Sequence, residues 1–526
     1  MFKYNDIISQ LSDSQKIRLL TSVGELLGND FKVLGLGGVT VRSMKNYGRE
    51  IFPRAAALSH SWNESLWNDV ARAEAQMIAD DGADLVIVPG AKIKFSPYRR
   101  EISEDPFLAS RFSAAHAKAA HDMGIKTALS GYYLTESDVE WMDKEPDQRV
   151  INEFFVSPYL NSLSGGSADA VVTDMRALTS SYCTSQAKAQ ERIPRDKYII
   201  CESADEKNTV DFISRGIICL SASANALESA LARYKKLKTA MENGKGITQE
   251  QIQNEQNNRT AISTETINEA LDKVIGFMRE RSSMPTFDAR LNKDEIGKRA
   301  VVESTVLLKN RNDTLPLSSD KSIALIGGIL PDDENGENLL FKFRDTLCEK
   351  GYNCIGAELG YDPDNIQNSD MTESALKLAL SASVVILFMG FGSENEKDIP
   401  LTKTLELPAN QLRLADMLVK RNKTVIGVIA SGHAPDVEFS HKMAAVLLTP
   451  QWLKSSVSAL ASILTGEVSP SAKLAYTLYD GSDAAFKKRR VYREKYGMKS
   501  GPFIGYRYYD LAEINVGYPF GHGLSY

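Results

Sequence analysis

Short apolar runs alternate with longer amphipathic stretches from one end of this 526-residue chain to the other. In the first half the runs fall at 33–37, 84–90, 126–132, 170–175, 198–204 and 216–221. A strand buried on both faces reads as a continuous apolar run rather than as an in–out alternation. Between the runs, residues 65–81 and 106–123 carry apolar positions at helical spacing. Strand and helix in strict turn predict an α/β fold with a parallel sheet. Six such units before residue 225 fit a barrel better than a short open sheet.

The second half begins a new series, with runs at 322–327, 384–390, 424–430, 444–448 and 473–479. Helical spacing at 411–421 and 454–464 separates them, which predicts a second α/β unit with a sheet between helices. Residues 282–295, SSMPTFDARLNKDE, combine a proline with a charged run and read as the linker. The boundary is drawn there, with one domain over 1–285 and a second over 286–526. Residues 241–262 are polar and rich in Gln and Asn, so they read as a solvated insertion or a helix with a mobile entry rather than a core element.

Composition removes several classes of function. Hydrophobic residues are 43% and charged residues 25%, as in globular proteins, which excludes a largely disordered chain. Lys and Arg number 62 against 68 Asp and Glu, a net charge of −6, so no general electrostatic footprint for nucleic acid or an anionic membrane exists. The KKRR run at 487–490 reads as a solvated loop. No stretch approaches the ~18 uninterrupted apolar residues of a membrane span. The first twenty residues lack the basic start, apolar run and cleavage site of a secretory leader. Five cysteines without a CxxC pair read as free thiols in a reducing compartment, and the expected location is cytoplasmic. Six scattered histidines without HExxH spacing give no metal site. Gly327-Gly328 ends a run but lacks GxGxxG, so no dinucleotide, and no cofactor of any kind, is expected.

In parallel α/β folds ligands gather beyond the carboxyl ends of the strands, so chemistry is sought just after each run. There stand Leu36 and Gly37; Lys94, Arg99 and Arg100; Ser130, Gly131 and Tyr132; Asp174 and Arg176; Glu202 and Asp205; and Ser221. Asp174 and Glu202 end adjacent runs, and paired carboxylates can act as nucleophile and acid/base in glycosyl transfer. The same carboxylates could instead pair with Arg176 or Arg99. Trp141, beyond the 126–132 run, is a candidate platform for stacking, with rim packing the alternative. Trp62 and Trp67 read as packing anchors at a helix start.

Several segments, in order, resemble glycoside hydrolase family 3, the β-glucosidase and β-N-acetylhexosaminidase group. Residues 303–310, ESTVLLKN, with 313–317, DTLPL, are similar to its ES-x-VLLKN…LPL. Residues 405–411, LELPANQ, are similar to LxLPxxQ, and GYRYYD at 505–510 with YPFGHGLSY at 518–526 to GYRYFD…FPFGxGLSY. In the first half FPRA at 52–55, SW at 61–62, PGAKIK at 89–94, SP at 96–97 and SEDP at 103–106 follow the family pattern. The resemblance implies a (β/α)8-like barrel followed by an α/β sandwich, with a glycoside site at their interface. Because the sequence ends at GLSY, no fibronectin-like third domain is expected.

By the same resemblance, Glu202 in IICES (199–203) takes the place of the catalytic aspartate nucleophile. The acid/base falls among Glu394, Glu396 and Asp398 in GSENEKD (392–398), with Glu396 the closest match. Arg99 or Arg100 takes the place of a sugar-binding arginine. Other positions depart from the pattern. The sugar-binding aspartate of DGPxG falls on Leu36, a Lys-His pair on Ser130 and Gly131, and a Tyr-Asn pair on Met175 and Arg176. Two functions therefore compete. The first is a glycosidase of impaired or altered range using Glu202 and Glu396, with Arg99, Arg100, Trp141, Asp174, Glu394 and Asp398 around the sugar. The second is a catalytically silent relative that binds a carbohydrate or stabilises a partner. The expected partners are a β-glycoside or oligosaccharide and, on the protein side, a second copy or a partner enzyme; nucleic acid and membrane are excluded.

Overall fold

The computed structural model describes residues 2–24, 34, 36, 39–44, 47–93, 101–132, 148–165, 168–175, 178, 193–279, 291–333, 335–364, 366, 368–391, 405–421, 424–481 and 505–526. The first half builds one sheet from β1 (Val41–Ser43), β2 (Leu85–Val88), β3 (Lys126–Tyr132), β4 (Ala170–Thr173), β5 (Tyr198–Ser203) and β6 (Ile218–Ser221). The strands pair in sequence order and every pairing is parallel. Sequential order with helical returns curls a sheet one way, as in the arc of a barrel.

The arc is linked back on itself by backbone hydrogen bonds. The segment at 21–24 lies against β6, with Gly24 N–H donating to Leu220 O at 3.0 Å and Ala222 N–H to Thr21 O at 2.9 Å. Val39 N–H then donates to Val23 O at 3.0 Å, and Thr40 O accepts from Leu85 N–H. The chain just before β1 thus meets the chain beside β6, completing a (β/α)8-like barrel wall with a segment that is not a strand.

Alternation along the strands decides the two faces. Val86, Val88, Leu129, Val171, Cys201 and Cys219 pack outward in the cluster that holds the Glu64–Asp80 and Pro106–Asp122 helices. Leu85, Ile87, Ala128, Ala170, Val172, Ile200 and Ile218 face the other way, with Val23, Leu36 and Val39. Those two helices start where their sequence caps them. Asn63 Oδ1 accepts from Ser65 and Leu66 N–H, while Asp105 Oδ1 accepts from Leu108 N–H ahead of Pro106. A side-chain acceptor there satisfies donors that the helix leaves open.

The second sheet contains β7 (Val306–Asn310), β8 (Ile323–Ile326), β9 (Cys354–Glu358), β10 (Val384–Gly390), β11 (Val425–Ala430) and β12 (Ala445–Thr449). Its order is β7-β12-β11-β10-β8-β9, parallel except for the antiparallel β7–β12 edge. Every residue of β8, β10, β11 and β12 is buried. Helices Leu339–Glu349, Ser369–Ser381, Ala409–Arg421 and Ser456–Leu464 flank it, giving the expected α/β sandwich.

Two expectations change. The apolar run at 473–479 is not a strand: it makes a single isolated bridge, Leu478 to Tyr518. It is buried, but its backbone groups go to loops of both halves. Lys473 N–H donates to His60 O at 2.8 Å, Leu474 N–H to His522 O at 2.8 Å, and Ala475 O accepts from Ser103 Oγ at 2.6 Å. Conversely, β1, β7 and β9 are strands that no apolar run in the sequence marks. β9 has no fully buried residue, as befits an edge, so it lacks the apolar signal. The polar stretch at 241–262 takes the helical one of its two readings: it contains Gln249–Asn257, capped by a Thr248–Gln251 box and burying only Ile252. The expected boundary between 285 and 286, and the KKRR run, lie outside the described residues, as does most of the 33–37 run.

One continuous apolar cluster spans both halves, running from Phe52, Ile102 and Phe112 to Leu447, Leu474 and Leu478. Polar contacts reinforce it. Asn63 Nδ2 donates to Glu303 Oε2 at 2.7 Å and Arg299 pairs with Asp69 at 2.7 Å. Trp67 is buried, whereas Trp62 is 43% exposed and anchored by its indole N–H on Lys473 O.

Candidate active site

The carboxyl ends of β2 to β6 open on one side, and the two carboxylates singled out in the sequence stand there. Glu202 lies one residue before the end of β5 and shares the inward face with Ile200. Asp174 directly follows β4, on the same alternation as Ala170 and Val172. Both residues are exposed. Among the described residues no basic group pairs with Glu202.

Between them sits Cys201, buried on the opposite face and donating its thiol to Ser203 O at 3.0 Å. Burial pushes the Cys201 thiol up to about 11, and the charges of Asp174 and Glu202 push in the same direction. The parallel β4–β5 register pairs Thr173 with Cys201, which sets Asp174 and Glu202 at neighbouring strand ends.

The neighbouring strand end is built differently from a regular strand. The β3–β4 register shifts between Leu129 and Tyr132, and Gly131 takes φ +75°. A Cβ on Gly90 would lie 1.6 Å from Ser130 O, so β2 can approach β3 this closely only with glycine there. Ser130 Oγ accepts from Gly90 N–H at 3.1 Å, and Ser130 O accepts from the Tyr159 hydroxyl at 2.8 Å. Ser130 is thus occupied in tying strand ends together. Lys92, which the sequence reading passed over, runs its stem past Gly131: its Cδ would lie 3.8 Å from a Cβ there. Only the bulge at Gly131 brings it into view, and no spacing rule reports that. Leu36 is buried in the inward cluster as an apolar side chain. Met175 is half-buried and packs against the outward cluster.

Of the remaining predicted residues, Arg99, Arg100, Trp141, Glu394, Glu396 and Asp398 lie outside the described residues, as does Arg176. The SEDP segment has a mechanical role. Glu104, 1% exposed, accepts from Thr477 Oγ1 at 2.7 Å and from Tyr506 N–H at 3.1 Å. Asp105 Oδ2 accepts from the Tyr506 hydroxyl at 3.0 Å and pairs with Arg507 at 2.8 Å. Tyr506 and Arg507 lock the C-terminal segment to the SEDP segment of the first half.

Two family models match the chain: the glycosyl hydrolase family 3 N-terminal domain over residues 34–199 and its C-terminal domain over residues 305–526. The chain belongs to glycosyl hydrolase family 3. Among family 3 relatives, thermostable beta-glucosidase B of Acetivibrio thermocellus is 26% identical over 502 residues, 90% of this chain and 64% of that protein. An exo-alpha-(1->6)-L-arabinopyranosidase of Bifidobacterium breve is 27% identical over 507 residues, again 90% of this chain and 64% of its own length. The chain thus spans less than two thirds of these relatives. The crystal structure of Bifidobacterium adolescentis GH3 beta-glucosidase superposes with a TM-score of 0.73 at 23% identity, covering 99% of this chain and 78% of that one. A beta-glucosidase from Kluyveromyces marxianus in complex with glucose gives a TM-score of 0.73 at 15% identity, covering 100% and 85%. Such structural likeness fixes the family 3 architecture, barrel followed by sandwich.

Proposed function

We propose that this chain is a family 3 glycosidase that hydrolyses O-glycosyl bonds of a β-glycoside or oligosaccharide, with hexose binding weakened or altered. Glu202 attacks the anomeric carbon while Glu396 protonates the departing oxygen. Water, deprotonated by the same Glu396, then cleaves the glycosyl–Glu202 ester and restores both groups. Glu394 and Asp398 are the competing acid/base candidates, and Arg99, Arg100, Trp141 and Asp174 are the sugar contacts. The observation that carries this reading is the exposed Glu202 at the inward end of β5, beside Asp174 and with no cation neutralising it among the described residues. A carboxylate kept for structure would be buried and paired; a nucleophile must reach substrate.

The weakening follows from what occupies the clamp positions. Each lost hydrogen bond from a charged group to a sugar hydroxyl costs about 1.5–3 kcal/mol. Glutamate for aspartate adds about 1 Å of reach, where productive geometry tolerates about 0.5 Å. A second reading, a silent carbohydrate binder, is favoured by the Ser130–Gly131 bulge, where the Ser130 hydroxyl is already engaged by Gly90 N–H and residue 131 has no side chain.

Aryl β-glycosides and oligosaccharides, read by hydrolysis and by thermal shift, separate the two. The expected result for the first is slow hydrolysis that Glu202→Gln abolishes with Tm unchanged. Hydrolysis persisting in that variant removes Glu202 as nucleophile. Stabilisation without turnover establishes the silent binder.

A further inference from the structure

We propose that Gln411 is a positioning residue for the reaction: its buried carboxamide fixes the carboxyl end of β10, the strand from which the segment holding the acid/base candidates departs. The role rests on the glycosidase reading, and Gln411 acts through the strand end rather than on substrate. The parallel strands of the second sheet run in the order β9-β8-β10-β11-β12. The chain thus goes from β8 outward to β9 and returns on the other side of β8 as β10. Ligands of doubly wound sheets gather at the carboxyl ends of the strands where the order reverses in this way. Residues 392–398 begin two positions beyond Gly390, the last residue of β10.

β8 pairs with β10 only as far as Leu387, opposite Ile326, so Gly390 stands beyond that neighbour. A buried peptide group there still needs a donor and an acceptor. A glutamine carboxamide carries both. Gln411 Oε1 accepts from Gly390 N–H at 3.0 Å, and Gln411 Nε2 donates to Gly390 O at 3.0 Å. The residue is 0% exposed, in the first turn of the Ala409–Arg421 helix. Asn410 anchors that turn, its Nδ2 donating to Asp362 O at 2.7 Å.

The rest of the strand end is held as firmly. A Cβ on Gly390 would lie 2.3 Å from Ala430 O, so β11 leaves it no room to shift. The Tyr361 hydroxyl donates to Phe388 O at 2.9 Å. The Phe391 ring packs on His433 at 4.7 Å, both buried. A general acid gains from such a fixed starting point, because a misplacement of about 1 Å costs about 10²-fold in rate.

The test uses the full chain with methoxyphenyl and dinitrophenyl β-glycosides of the sugar that the wild type turns over. Dinitrophenolate leaves without a proton, whereas methoxyphenolate needs one from the acid. In Gln411→Met, kcat/KM for the methoxyphenyl glycoside should fall by about 10²-fold, while that for the dinitrophenyl glycoside holds. Equal falls in both would show a structural role alone and overturn the proposal. Hydrogen exchange of the wild type decides the matter should the variant not fold. The Gly390 amide should exchange as slowly as those of central β10, and exchange at the rate of an exposed loop overturns the proposal. A wild type that hydrolyses no aryl β-glycoside removes the glycosidase reading and this role with it. An active wild type with equal falls in the variant removes this role alone.

Discussion

At the scale of single residues, the Ser130–Gly131 strand end is engaged in the scaffold. Gly131 holds φ +75° inside a register shift, and Ser130 uses both its hydroxyl and its carbonyl to bind Gly90 and Tyr159. Restoring a lysine-histidine pair would therefore not restore a clamp. Any residue with a Cβ at 131 must adopt the left-handed region, at about 1–2 kcal/mol, and its Cβ would stand 3.4 Å from the Tyr159 hydroxyl. Gly131→His is expected to lower stability by about that amount without raising hydrolysis. Urea denaturation with an aryl-glycoside assay checks it, and a gain in turnover would show that the strand end can revert to a regular course. Glu202 and Asp174 were legible in the sequence because the strand-end rule depends only on where apolar runs stop. The bulge was not, since two residues, serine and glycine, carry no periodicity.

At the scale of elements, apolar runs located β2 to β6, β8 and β10 to β12 because those strands are buried on both faces. The same signal failed at 473–479, where burial comes from two halves of the molecule closing on an extended segment rather than from strand neighbours. Burial and sheet pairing are separate properties, and hydrophobicity reports only the first. That segment and the Tyr506–Leu511 helix are held by the SEDP residues, so capping and docking share one carboxylate. Asp105 Oδ1 caps Pro106–Asp122 while Oδ2 takes Tyr506 and Arg507. The two roles separate by substitution. Asp105→Asn keeps a good cap but gives up the charge, and should cost about 1–2 kcal/mol, because hydrogen bonds to charged groups are worth about twice neutral ones. Asp105→Ala loses the cap as well, adding about 1 kcal/mol. Chemical denaturation of both variants reads the difference; equal losses would mean that the cap contributes nothing and the ion pair all of it.

At the scale of the whole molecule, the continuous core ties folding of one half to the other, and buried histidines make that union sensitive to acid. His60 packs edge-on against Tyr476 at 4.8 Å, between the halves, with Nε2 lacking a partner among the described residues. His116 stacks on Phe112 at 4.2 Å within the barrel wall. Burial lowers His60 to about 3 and His116 to about 4, from an ordinary 6.5. Above that value both folded and unfolded chains hold these rings neutral. As pH falls below it, the unfolded chain binds two protons that the folded chain refuses, and stability is lost at about 1.4 kcal/mol per pH unit for each. Glu74 works against them. Burial raises its carboxyl well above the usual 4.5, so above that value the unfolded chain releases a proton that the folded chain keeps. Between pH 4.5 and 6.5 the two histidines make stability fall on acidification by up to about 2.7 kcal/mol per unit, and the proton that folded Glu74 keeps offsets part of that fall. Glu74→Gln removes the opposing group, so the fall on acidification should steepen. Urea midpoints across that interval measure both slopes. An unchanged slope in Glu74→Gln would mean that Glu74 ionises alike in both states, whereas a flat wild-type profile would show that acid enters the interface at His60 without opening the two halves.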